Sequence, residues 1–128
     1  MTLLMKYFNK IKYAVVGLGY VGLPLLLAIS KKNYVTGFDI NISRVRDLDR
    51  GIDTNNEYKK PELVNNKITF TNQIKDLENC NVIIITIPTP IFKNKKPNLI
   101  PLKNAFRNIS NIIKKGTLLI VESTVYPG

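Results

Sequence analysis

Three glycines lie within six positions of the chain, at the junction of two apolar runs. Gly17, Gly19 and Gly22 form the pattern GxGxxG where a strand-like run ends and a Leu-rich helical run begins. In such a turn the first glycine allows a tight bend, the second lets backbone approach a pyrophosphate, and the third lets the helix pack on the strand. The N-terminus of the helix also offers free N–H groups and a partial positive charge to phosphates. The turn therefore predicts phosphate binding, with a glycine-rich turn that holds no ligand as the alternative.

A carboxylate follows the next strand-like run at the spacing that a dinucleotide site requires. Asp39 closes the run VTGFD, about 20 residues after Gly19. Its carboxylate can accept hydrogen bonds from ribose hydroxyls and would repel a 2′-phosphate, so the pattern favours NAD over NADP. Arg44 leaves a second interpretation open, because an arginine here could receive a 2′-phosphate or stack on adenine. With Asp39 in place we favour stacking or a polar contact.

Apolar runs of strand length alternate with helical patterns along the chain, and this alternation places the two motifs at strand ends. Strands followed by helices imply right-handed crossovers and a parallel sheet, so we predict an α/β fold: a Rossmann-type, doubly wound, three-layer α/β/α domain. The segments 52–66 and 89–100, rich in Asn, Lys and Pro, are predicted to be loops. Strands are predicted at 13–17, 34–39, 67–71, 81–88 and 117–124, and helices at 20–32, 41–51 and 101–116, with a helical turn or two after residue 71.

The composition is typical of one globular domain and excludes several other classes. Hydrophobic residues make up 45% of the 128 residues and charged ones 22%, which does not fit a disordered chain. The longest apolar run, 14–29, is shorter than the ~20 residues of a membrane span and is interrupted by Gly and Pro. No signal peptide is recognisable, and a single cysteine, Cys80, fits a reducing compartment. We therefore expect a cytoplasmic protein without a membrane partner.

The net charge of +10 raises the question of nucleic-acid binding. The lysines are scattered as pairs at predicted element ends and in loops, with no basic stripe and no interleaved aromatic residues. We therefore expect a solvated basic surface and no nucleic-acid partner. The chain has no histidine, so it offers no histidine base and no histidine metal ligand. We interpret Cys80 as a structural cysteine.

Several motifs in the same order resemble a known family. The stretches GLGYVGLPL (17–25), FDIN (38–41), PTP (88–90) and ESTVYPG (122–128) together resemble the N-terminal domain of the UDP-glucose/GDP-mannose dehydrogenases. The sequence from 86 to 128 is most similar to the branch that oxidises UDP-N-acetylglucosamine or UDP-N-acetylgalactosamine in bacterial polysaccharide pathways. The resemblance implies an N-terminal extension at 1–10 and a truncated NAD-binding Rossmann domain at 11–128, without the family's central helix and sugar-binding domain.

The resemblance also implies roles for individual residues. The family performs two successive NAD-linked oxidations of a sugar C6 alcohol to a carboxylate, and Thr124 is implied as an assistant that holds a water or the reacting oxygen. The main nucleophile and acid–base residues of the family have no counterpart here. We therefore expect this chain to bind NAD without turnover, and the full-length protein to take a UDP-sugar and form a homodimer or larger assembly. The implied cofactor contacts are Gly17, Leu18, Gly19, Tyr20, Val21, Gly22, Asp39, Arg44, Thr86, Pro88, Thr89, Ser123 and Thr124.

Two other classes stay open from the residues. A β-hydroxyacid-type dehydrogenase shares the GLGxxG opening, but the PTP and ESTVYPG stretches count against it. A standalone nucleotide-binding regulatory domain needs neither of those stretches. Titration of the chain with NAD, NADP and ATP would separate these classes.

Overall fold

Five parallel strands form one sheet in the part of the chain that the computed structural model describes, which is residue 3 and residues 11–122. The order across the sheet is β3-β2-β1-β4-β5, so the winding direction reverses at β1. In open α/β sheets this reversal creates a crevice at the carboxyl ends of the two central strands. The predicted Rossmann-type fold is confirmed. The strands are β1 (Tyr13–Val16), β2 (Val35–Phe38), β3 (Ile68–Thr71), β4 (Val82–Ile85) and β5 (Leu118–Val121).

The helices connect successive strands and cover both faces of the sheet. Asn41 is the N-cap of the second helix. Its side chain accepts a hydrogen bond from the Arg44 N–H and so satisfies one free amide of the first turn. In the described ranges no helix is long and apolar enough to cross a membrane. The helices are α1 (Gly22–Ser30), α2 (Ile42–Asp49), α3 (Lys60–Leu63) and α4 (Ile100–Ser110), with a 3₁₀ helix at Ile74–Leu77 between β3 and β4.

Two predictions about loops and helices are wrong, and the strand predicted at 81–88 is shorter, because β4 ends at Ile85. The segment 52–66, predicted as loop, contains α3, which has a proline in its first turn and buries Leu63. The helix predicted to continue to Gly116 ends at Ser110 instead. The N–H groups of Ile112 and Ile113 both donate to the Ile109 carbonyl, which closes one last turn beyond the end of the helix. Their side chains then pack against the core from outside the helix.

The side chains of β1 alternate between two cores, one on each face of the sheet. Ala14 and Val16 are fully buried in one core, and Val15 is fully buried in the other. Each large aliphatic side chain buried in this way contributes about 1.5–3 kcal/mol to stability. The first core is completed by Leu77, Cys80, Ile83, Ile85, Leu102 and Ile109, and the second by Leu18, Leu23, Leu26, Val35, Leu48 and Leu63.

Candidate functional site

The glycine turn, residues 17–22, joins β1 to α1 at the carboxyl end of the sheet. Gly17 has φ of +100°, a conformation that side chains disfavour, and its N–H donates to the Phe38 carbonyl at 2.8 Å. A Cβ on Gly22 would overlap the Gly17 carbonyl oxygen and crowd the Thr86 hydroxyl. Only glycine at position 22 therefore lets α1 begin this close to the end of β1.

The outer side of the glycine turn is open. A Cβ on Gly19 would meet no atom within 4 Å, and the side chains of Tyr20 and Val21 are exposed. The N–H groups of Gly19, Tyr20 and Val21 have no hydrogen-bond partner within the described part of the chain. Leu18, by contrast, is buried and anchors the turn to the core beneath α1. The turn thus offers free backbone donors on the side where an anion can approach.

Asp39 follows β2 and is joined to the glycine turn by a hydrogen bond. One carboxylate oxygen accepts from the Leu18 N–H at 2.9 Å, and the other accepts from the Asn41 N–H at 2.9 Å. The residue is half-buried. Because an ionised carboxylate has about four acceptor positions, these two bonds leave room for ribose hydroxyls.

Arg44, on α2, points into the protein. Its Nε donates to the Leu18 carbonyl at 2.9 Å, and its Nη1 donates to Asp53 at 2.7 Å and to the Thr54 hydroxyl at 3.2 Å. Its Nη2 is buried without a hydrogen-bond partner among the described residues. All the hydrogen bonds observed for the guanidinium are therefore made to the protein. A contact between Arg44 and the adenosine of a cofactor stays a prediction.

Asp53 is the main residue that sequence reasoning missed. Its side chain is fully buried, and it accepts hydrogen bonds from Arg44 and from the N–H groups of Asn55, Glu57 and Tyr58. Burial alone would raise the pKa of Asp53, but Arg44 and the three backbone donors outweigh it, so the pKa is lowered and the group stays charged. In the sequence, Asp53 is followed by a threonine and two asparagines. This pattern indicates a turn but does not show which side chain would pair with Asp53.

Thr86, directly after β4, supports the glycine turn from the sheet side. It is buried, and its hydroxyl lies 2.8 Å from the Gly17 carbonyl oxygen and 3.1 Å from that of Val16. Pro88 lines a cleft at the carboxyl ends of the central strands, and Thr89 beside it is half-buried. The predicted site residues Ser123 and Thr124 lie outside the described residues.

A cleft of about 480 Å³ lies at the carboxyl ends of the central strands. The glycine turn and Asp39 form one wall, and the segment after β4 with the start of α4 forms the other. Three isoleucines, Ile40, Ile87 and Ile100, contribute apolar surface. A larger cleft of about 680 Å³ lies at the opposite end of the sheet, beside Lys12, Tyr34 and Cys80. Open α/β sheets bind their ligands at the carboxyl ends, so we assign the smaller cleft as the site.

Comparison with known families shows to which family the chain belongs. The family model of the UDP-glucose/GDP-mannose dehydrogenase family, NAD binding domain, matches residues 11–128. The chain belongs to the UDP-glucose/GDP-mannose dehydrogenase family. The matched region is the NAD-binding domain of that family, so the cofactor is NAD.

Proteins similar to this chain include several that are named as UDP-sugar dehydrogenases. The chain is 50% identical, over 92% of its length, to UDP-N-acetyl-D-glucosamine 6-dehydrogenase of Pseudomonas aeruginosa, and spans 28% of that protein. It is 42% identical, over 94% of its length, to the protein of the same name in Salmonella typhi, again spanning 28% of it. Its structure is similar to that of UDP-D-ManNAc dehydrogenase from Pyrococcus horikoshii, with a TM-score of 0.84 and 33% identity. That match covers 92% of this chain and 29% of the other. The chain thus spans less than a third of each of these three proteins.

The observed geometry of the dehydrogenase domain fits NAD. The unpartnered N–H groups of Gly19, Tyr20 and Val21 suit a pyrophosphate, and the absence of a side chain at position 19 leaves space for it. Asp39 keeps acceptor capacity for ribose hydroxyls, and the isoleucines of the cleft suit a flat base. These are the chain's own residues that would hold the cofactor.

Proposed function

We propose that this chain is the cofactor domain of an enzyme that oxidises the C6 hydroxyl of a UDP-N-acetylhexosamine to a uronic acid. The observation that carries the proposal is the 50% identity, over 92% of the chain, to a UDP-N-acetyl-D-glucosamine 6-dehydrogenase. UDP-N-acetylglucosamine is therefore our first candidate substrate. Relatives named for UDP-N-acetyl-D-mannosamine are less similar, at 32% identity for the Pyrococcus horikoshii protein, which makes that sugar the second candidate.

The chemistry assigns this domain a holding role. When bound, NAD supplies a hydride acceptor, and conversion of a primary alcohol to a carboxylate requires two NAD molecules for each sugar. The amides of Gly19 to Val21 would hold the pyrophosphate, and Asp39 the adenosine ribose. Pro88 and Thr89 would lie along the middle of the cofactor. Ser123 and Thr124 are proposed beside the nicotinamide, with Thr124 holding a water or the reacting oxygen.

The remaining catalytic groups are proposed to come from other parts of the full-length protein. The chain contains no histidine, and its single cysteine, Cys80, is buried in the core. Burial raises the pKa of the Cys80 thiol, with Lys12 and Thr36 opposing the effect in part, so the group is a poor nucleophile. We therefore propose that this chain binds NAD and does not oxidise sugar by itself.

The proposal extends to the organisation of the whole protein. Residues 11–128 would be the cofactor domain and residues 1–10 an extension, with a central helix and a sugar-binding domain completing the enzyme. We place that enzyme in the cytoplasm as a homodimer or larger assembly that supplies a uronic acid for polysaccharide synthesis. The single cysteine is consistent with a reducing compartment.

Calorimetric titration of the chain with NAD, NADP and ATP tests the cofactor half of the proposal. We expect one NAD per chain and weaker binding of NADP, because Asp39 would face the added 2′-phosphate. A preference for NADP, or no saturable binding of NAD, would contradict it.

The full-length protein tests the substrate half of the proposal. Incubated with NAD and either UDP-N-acetylglucosamine or UDP-N-acetylmannosamine, it should form two NADH for each sugar consumed, with the glucosamine substrate preferred. UDP-glucose serves as the control substrate. Oxidation of UDP-glucose in preference to both N-acetyl sugars would overturn the substrate assignment.

A further inference from the structure

We propose that Asp53 is a positioning residue for the cofactor site: it holds Arg44 against the Leu18 carbonyl and thereby orients the Gly19 N–H of the glycine turn. The inference rests on the proposed function, since it assumes that the turn receives the NAD pyrophosphate. It assigns a role to a loop between α2 and α3 that contributes no surface to the cleft.

The first step is that Asp53 is fixed by its own loop. The backbone N–H groups of Asn55, Glu57 and Tyr58 all donate to its carboxylate, at 3.0–3.1 Å. The loop also turns back on itself at Asn56, which has φ of +57° and donates to the Asp53 carbonyl at 2.9 Å. The buried carboxylate therefore cannot shift unless the loop around it opens.

The second step is that Arg44 links this loop to the glycine turn. Its Nη1 contacts Asp53 at 2.7 Å, whereas its Nε contacts the Leu18 carbonyl at 2.9 Å. The side chains of Arg44 and Asp53 are only 10% and 0% exposed. Burying a charge pair costs free energy of desolvation unless both partners are well hydrogen-bonded. A structural or functional role for this buried pair is therefore expected. An ion pair that only closed the loop would not need the Nε contact across to the turn.

The third step follows from the geometry of the peptide bond. In a planar trans peptide the C=O and N–H groups point in opposite directions. The Leu18 carbonyl is drawn toward Arg44, so the Gly19 N–H of the same peptide points away from Arg44. That N–H has no partner in the described part of the chain.

The preceding peptide of the same turn is held by Asp39, which accepts from the Leu18 N–H, so loosening at the Leu18 carbonyl also weakens this bond. Both peptides that flank Leu18 are thus set by side chains from the segment after β2. A turn that is ordered before the cofactor binds loses little conformational entropy on binding. Its affinity for the cofactor is higher for that reason.

The test compares Asp53→Asn and Arg44→Lys with the unchanged chain. Asparagine keeps the size of Asp53 and removes its charge, and lysine keeps the charge of Arg44 but lacks the fork that contacts two acceptors. We expect each variant, at a temperature where it is fully folded, to bind NAD about tenfold more weakly, because the turn must then be ordered on binding. The double variant should lose no more than either single variant, because the two residues act as one unit.

Hydrogen exchange in the NAD-free chain gives a second readout that does not depend on the cofactor. Both variants should exchange the Leu18 amide faster, because its hydrogen bond to Asp39 opens when the turn loosens. The control is Leu77→Ala, which removes a buried side chain of the 3₁₀ helix from the core on the other face of the sheet and lowers the melting temperature. It should leave the NAD dissociation constant within about twofold of the unchanged chain and leave the Leu18 exchange unaltered.

The outcomes separate the two proposals. If the folded variants bind NAD as tightly as the unchanged chain and exchange the Leu18 amide hydrogen at the same rate, the positioning role of Asp53 is overturned. The proposed function is not affected by that result. An unchanged chain that does not bind NAD overturns the proposed function, and the cofactor role of Asp53 with it. Should Asp53→Asn not fold, the Leu18 exchange rate of Arg44→Lys in the NAD-free chain decides the question, because that rate does not depend on a direct contact between Arg44 and the cofactor.

Discussion

The site depends on a few side chains that fix backbone rather than touch one another. Asp39 holds the Leu18 N–H, Arg44 holds the Leu18 carbonyl, and Thr86 lies under the Gly17 carbonyl. Three elements of the chain therefore converge on one turn. The side chains that hold the turn are polar, and its open side carries Gly19 and the exposed side chains of Tyr20 and Val21. A substitution at one of these polar residues should change ligand binding through the backbone.

Asp39 should decide between NAD and NADP. Replacing it by asparagine removes the charge that opposes a 2′-phosphate but keeps an acceptor for the Leu18 N–H. We expect the ratio of the NADP to the NAD dissociation constant to fall about tenfold in Asp39→Asn, as for loss of one close charge–charge repulsion. Paired calorimetric titrations measure this ratio. Asp49→Asn, an exposed change of the same kind on α2, is the control, and an equal fall in both variants would contradict the assignment.

Asp53 should make stability depend on pH in the acid range. Its pKa in the folded chain is lowered from the ordinary value of 3.8, so its ionised form stabilises the fold above that value. This contribution is lost as the pH falls from 3.8 through the folded pKa. Urea unfolding of the unchanged chain and of Asp53→Asn should therefore show a difference in stability at neutral pH that shrinks below about pH 3.8. A difference that is constant or grows on acidification would contradict the charged state of Asp53.

At the scale of elements, α1 is placed by glycines and by its apolar face. Leu23 and Leu26 are buried in the core beneath the helix, and Gly22 lets its first turn contact the end of β1. The free amides at its start therefore lie at the crevice where the sheet order reverses. The helix serves the site through its position, and its position follows from the absence of a side chain at residue 22.

Gly22→Ala and Gly19→Ala should separate the fold from binding. A Cβ at position 22 would overlap the Gly17 carbonyl oxygen, so for Gly22→Ala we expect a loss of stability of about 1–3 kcal/mol together with loss of NAD binding. A Cβ at position 19 meets nothing within 4 Å, so Gly19→Ala should stay within about 0.5 kcal/mol of the unchanged chain while binding NAD more weakly. Chemical denaturation and NAD titration of both variants check this. Equal stability of the two variants would contradict the packing assigned to Gly22.

At the scale of the whole molecule, the local patterns predict the sheet well and the connections less well. The run NVIIITIP reads as a buried parallel strand because it is β-branched throughout, and β4 lies within it. Helix α3 escapes prediction because its four residues bury one side chain, Leu63, which shows no periodicity. The end of α4 escapes it because Ile112 and Ile113 keep helical spacing while packing from outside the helix. The rule of right-handed crossovers limits the possible sheet orders but does not by itself select this one.

The candidate site, too, is predictable from the sequence only in part. The glycine turn and Asp39 are visible in the sequence because their spacing follows from one strand–helix–strand unit. The role of Asp53 is not visible, since its partners are set by how the loop after α2 folds back toward the turn. The sequence predicts Arg44 as a cofactor contact, and the structure shows which protein groups its guanidinium binds. Roles that depend on tertiary contacts of a buried polar group have no local pattern to reveal them.

The central claim is that NAD binds at the glycine turn, and amide chemical shifts of the isotope-labelled chain during an NAD titration test it most directly. We predict saturable shifts at Gly19, Tyr20 and Val21 and near Asp39, with little change at the opposite cleft beside Lys12 and Cys80. Saturable shifts confined to that opposite cleft, or no saturable shift in the glycine turn, would contradict the account.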